Sequence, residues 1–190
     1  MLTALYQSIF RPRAFINNPK GVLFVNKYGW VLIIIRWVYY SILFTFRDYD
    51  KRWKPFIPLP FGLDLDTYSF WQRNLALPFG LGLMFTLSIV LHSYLTSRKK
   101  MIPFHKLLNI LGVTFFLPFV IVQPIDLLII YTIGWKLILV TILHTIIAVW
   151  ESFAALSLLS RIYDLDRSET VVGTGLLVMV WIIITGIFWR

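Results

Sequence analysis

Apolar runs separated by polar breaks set the pattern of this chain. Runs at residues 28–46, 75–95, 106–122, 135–160 and 170–189 are long enough, or nearly so, to cross a bilayer, which takes about 20 residues. Between them lie a charged, proline-rich stretch at 47–70, a basic break at 97–106 and a polar break at 161–169. Residues 1–10 differ. Leu2, Leu5, Tyr6, Ile9 and Phe10 recur at helical spacing on one face of a segment too short to span. The segment lacks the basic start and small-residue cleavage site of a signal peptide, so it reads as an amphipathic helix on the membrane surface. Asn18-Pro19 signals the start of the helix carrying the first run, and Asp66 is placed to cap a helix leading into the second. Residues 123–134 hold an apolar run too short to cross alone, and read as a turn plus a re-entrant or interfacial segment. The expected fold is all-α: one polytopic domain of five transmembrane helices with an N-terminal interfacial helix.

Two strong charges interrupt these runs, Arg36 in the first and Glu151 in the fourth. A charge inside the bilayer costs several kcal/mol (about 3 or more) unless it is paired or faces a polar interior. Arg36 lies roughly 12 Å from the inner end of its span and Glu151 roughly 13.5 Å from the same edge, at 1.5 Å per residue. The depth match predicts that they meet. Such a pair either fixes helix register or forms part of a proton or ion relay. His144, two helical turns from Glu151 on the same face, is the candidate extension of a polar track, or a histidine bonded to neighbouring backbone.

Composition agrees with membrane residence: 58% of the residues are hydrophobic and 14% charged, where a soluble domain carries about one-quarter. The net charge of +9 would suggest nucleic acid in a soluble protein. Here the cations flank apolar runs, which points to anionic lipid headgroups, with Arg98, Lys99 and Lys100 as the contacts. With the N-terminus in the cytoplasm and the C-terminus outside, inner segments hold ten Lys and Arg and outer segments seven. There is no cysteine, which excludes disulfides, thiolate metal sites and a cysteine nucleophile. The acidic pairs Asp48/Asp50, Asp64/Asp66 and Asp164/Asp166 have a spacing that can share a divalent cation, but they read as solvated loop charge and no metal or cofactor is expected. His92 and His105 read as interfacial, and no histidine spacing suits zinc. Ala148, Ser152, Ala154 and Ala155, with Gly173 and Gly175, allow close helix packing within the chain or a dimer face. No nucleophile–base set is visible, so no catalytic residue is assigned.

Several segments resemble the Yip-domain family of multi-pass membrane proteins, named for binding Ypt/Rab GTPases. RPRAFINNPKG is similar to that family's basic-Pro-x-x-Phe segment before the first span. LLNILGVTFFLP, with Gly112 and Pro118, is similar to its glycine-then-proline third span, and AVWESFAALSLLSRIYDLDRSETVV to its tryptophan-bearing fourth span and basic loop. The D-L-Y-G-P and full Y-G-Y-S motifs are absent, as in a compact, prokaryotic-type member without Rab binding. The resemblance implies a five-span fold and a non-enzymatic scaffold or adaptor organising lipids, a membrane-protein partner or further copies of the chain. The residue-based alternative is a small transporter or channel subunit using Arg36, Glu151 and His144.

Overall fold

The computed structural model describes residues 2–47, 59–133 and 137–188; Asp48, Asp50, Trp135, Lys136 and Arg190 lie outside them. Helices account for nearly all of the described chain: α1 (Leu2–Phe10), α2 (Pro12–Ile16), α3 (Pro19–Arg47), α4 (Leu65–Ser97), α5 (Phe104–Ile133), α6 (Leu137–Tyr163) and α7 (Arg167–Phe188). Helices α3 to α7 are each long and apolar enough to cross a membrane.

Side chains at the helix ends explain the boundaries. The Asn18 side-chain oxygen accepts from the Gly21 N–H at 3.2 Å, with Pro19 at the first position of α3. Asp64, rather than Asp66, caps α4, accepting from the Thr67 N–H at 2.8 Å and its hydroxyl at 2.7 Å. Residue 64 is extended and can fold its carboxylate over the helix end, whereas Asp66 already lies in the first turn. At α7, Asp166 and Glu169 form a reciprocal capping box: Asp166 accepts from the Glu169 N–H at 2.7 Å and Glu169 from the Asp166 N–H at 2.9 Å. Two of the three acidic pairs thus supply helix caps. Helices α4 and α6 end alike, on left-handed residues Lys99 (φ 62°) and Asp164 (φ 53°). Their closing bonds run from Lys100 N–H to Leu95 and from Leu165 N–H to Ser160.

Two expectations need correction. Residues 123–133 are neither turn nor re-entrant segment; they continue α5 through Pro118 and Pro124. A proline removes one helical N–H, but leaving the helix in an apolar run would strand many more backbone groups, so the helix persists. The helix expected to lead into the second run is present and continuous with it from Leu65, but its cap is Asp64 and not Asp66.

Neighbouring helices pack in the order α3, α4, α7, α6, α5, with α5 closing on α3 and also touching α4. Two crossings are unusually close. A Cβ on Gly29 would overlap the Asn109 carbonyl, and one on Gly112 would overlap the Gly29 carbonyl, so α3 and α5 meet backbone to backbone. Further along α3 the Trp37 indole packs directly on Gly80. Ala148, Ser152 and Ala155 are fully buried, so the small residues of α6 serve packing within the chain. Helix α1 packs against α3, α5 and α6, with Ser8 buried, Tyr6 and Phe10 exposed, and Phe10 edge-on to Trp150 at 5.9 Å.

Candidate functional site

Arg36 and Glu151 meet. The Arg36 Nη1 donates to Glu151 Oε1 at 2.6 Å, and their side chains are 3% and 0% exposed. The same nitrogen donates to the Phe115 carbonyl of α5. One guanidinium therefore ties three helices: α3 by covalent attachment, α5 through its backbone and α6 through its carboxylate. Phe115 sits in the turn before Pro118, one residue past Thr114, whose carbonyl lacks the helical N–H that Pro118 cannot supply.

Four rings surround the cation. The guanidinium carbon is 5.0 Å from the ring centre of Phe119, 5.8 Å from those of Trp37 and Phe115, and 5.9 Å from that of Tyr40. The faces of aromatic rings stabilise a desolvated cation by up to about 2 kcal/mol. Two of the rings come from α3 itself, at one and four residues past Arg36; the others are an i, i+4 pair on α5. Tyr40 carries the polar line further, since its hydroxyl accepts from the Gln123 side chain at 3.4 Å.

His144 does not contact Glu151 directly. It is half-buried on α6, about 10 Å along the axis from Glu151, too far for direct contact. The polar line from Glu151 runs instead through Arg36 toward Tyr40 and Gln123. A guanidinium does not release its proton in a protein, so a line that passes through Arg36 cannot relay protons. What the geometry shows is a tie between α3, α5 and α6 through one guanidinium.

Compared with known protein families, curated proteins and solved structures, the chain has no match in any of the three. The site must therefore be read from its own geometry.

A second junction sits one to two turns from the end of the bundle where α4 meets α5. Asn109 accepts from the Trp30 N–H at 2.9 Å and donates to the carbonyls of Asn26 at 3.1 Å and His105 at 2.8 Å. Asn26 and Trp30 are i and i+4 on α3, so one carboxamide docks on both members of a helical backbone pair. Asn109, Trp37, Tyr40, Phe115, Phe119 and Gln123 were not foreseen as site residues. An asparagine inside an apolar run was the available signal for Asn109.

Of the three basic residues assigned to lipid headgroups, Arg98 and Lys99 are exposed, but Lys100 turns inward. It donates to the Asp164 carbonyl at 2.7 Å and lies 3.8 Å from Glu169, so it joins the α4–α5 loop to the α6–α7 loop. Lys100 follows the left-handed Lys99, and that reversal aims its side chain back across the bundle end. Among the described residues, no three of His, Asp and Glu gather where a metal ion could be held.

Proposed function

We propose that this chain is a non-enzymatic integral membrane scaffold or adaptor of the Yip-domain type. It spans the cell membrane five times, with its N-terminus in the cytoplasm and its C-terminus outside, and organises lipids or partner proteins. The supporting observation is the closure of Arg36 and Glu151 on each other in a buried, ring-lined interior. The strongest charges inside the spans are committed to cohesion, which suits a rigid platform. Residues carrying the family resemblance have similar duties: Gly112 makes the backbone contact with α3, and Pro118 follows the carbonyl that receives Arg36. Topology is tested by single cysteines at Ser97 and Ser69, which the cysteine-free chain permits; they should label from opposite sides, and labelling from one side overturns the five-span reading. Recovery of one defined partner in stoichiometric amount from native membranes supports the adaptor.

A second reading, a small transporter or channel subunit, draws on one observation. Glu151 Oε2 and Arg36 Nε are buried with no hydrogen-bond partner among the described residues, the kind of polar atom that a transported solute could engage. Flux through proteoliposomes that is abolished by Glu151→Gln in a folded protein would favour this reading over the scaffold.

A further inference from the structure

The α4–α5 loop combines features that do not ordinarily occur together. Met101 at its tip is 82% exposed. A large apolar side chain in water is unremarkable on a slack loop, but this loop is pinned on both sides of Met101. Before it, the left-handed Lys99 closes α4, and Lys100 is bonded to the Asp164 carbonyl. After it, Ile102 is 2% exposed and its carbonyl meets His92 Nδ1 at 3.0 Å. Met101 is thus held outward by a rigid frame. Arg98 and Lys99 stand exposed beside it, and Arg161 and Arg167 flank the neighbouring loop, also exposed.

We propose that this loop anchors the bundle end in an anionic lipid surface, with Met101 among the upper acyl carbons and Arg98 and Lys99 on headgroup phosphates. An unbranched thioether suits an irregular, fluid apolar layer. Cations ringing an apolar tip match a layer with phosphate above hydrocarbon, and each is drawn to an anionic surface. An acidic protein groove would match the cations, but this tip stands where four apolar helices end, at the level where headgroups begin. Lys100 is excluded from the contact because its ammonium is held by Asp164. The inference rests on the membrane placement proposed above and names the lipid that the scaffold engages.

The test uses the full chain with Met101→Cys as its single cysteine, carrying an environment-sensitive fluorophore, in bilayers of stated composition. Brominated phosphatidylglycerol should quench the label at least about twofold more than brominated phosphatidylcholine. Arg98→Gln with Lys99→Gln should abolish that preference, whereas Lys100→Gln should leave it intact. Equal quenching by the two lipids would overturn the anionic contact. Quenching by aqueous iodide without quenching by either lipid would overturn the anchor altogether and favour an acidic protein as the occupant. Labelling of Ser97 and Ser69 from one side would instead show that the membrane placement itself has failed, whichever result the quenching gives.

Discussion

Arg36 meets Glu151 at 2.6 Å with side chains 3% and 0% exposed, whereas Lys100 stands 3.8 Å from Glu169 with its own side chain 32% exposed. Both pairs join segments far apart in the chain. In the interior, the ions are surrounded by rings and a backbone carbonyl, and both are shielded from bulk solvent. At the bundle end, local structure does most of the holding: the left-handed turns and the Asp166–Glu169 box would remain without the lysine charge. The same chemistry is therefore indispensable in one place and auxiliary in the other.

The largest expected effect tests the interior pair. Arg36→Met or Glu151→Gln alone should cost about 3–5 kcal/mol, because each strands the partner. The double variant should cost much less than the two losses summed. Thermal unfolding of the detergent-purified set measures this, and additive losses would show that the two charges are not coupled.

Asn109→Leu should come next, at about 1–3 kcal/mol, because backbone groups of α3 and α5 lose a buried partner beside a crossing with no spare room. An unchanged melting temperature would mean that Asn26 and Trp30 satisfy each other without help.

At the bundle end, Asp166→Ala should cost about 1 kcal/mol through loss of the cap, and Lys100→Met less than about 1 kcal/mol as a half-exposed pair. Measured in the same detergent, a larger loss for Lys100→Met than for Arg36→Met would invert the contrast between the regions.

The smallest effect concerns pH. The Thr67 N–H, and then its hydroxyl, hold the exposed Asp64 carboxyl below the ordinary carboxylate range. A depressed folded-state pKa contributes stability above the unfolded value, near 4, and that contribution fades as pH falls through the folded value. The stability difference between wild type and Asp64→Asn should thus be flat from neutrality to about pH 4 and shrink below it. A difference that grew on acidification would contradict the cap.

The central pair was legible because each partner is a charge stranded in an apolar run, and helix geometry converts sequence distance to depth. The start of α3 was legible because Asn-Pro is a local signal. What surrounds Arg36 was not. A backbone carbonyl has no sequence signature, and Phe115 and Phe119 look like any lipid-facing aromatics until α3 is laid beside them. Residues 123–133 read as separate because their apolar run is too short to cross alone, yet that run prolongs the helix before it. Lys100 misled because its inward turn depends on the backbone sign at Lys99. The Asp166–Glu169 box is a local pattern, but Asp166 beside Arg167 has the same signature as solvated loop charge.

The separation of 115 residues between Arg36 and Glu151 has a consequence for synthesis. At about 5–20 residues per second, the carboxylate is made roughly 6–23 s after the arginine. The Phe115 carbonyl, 79 residues downstream, precedes it. The nascent first helix therefore carries its cation with only Trp37 and Tyr40 for company, both supplied by the same helix. The three-helix junction closes only once α6 has been made, and a ribosome that stalls before Glu151 leaves an arginine without its counter-ion, a mark that membrane quality control can read.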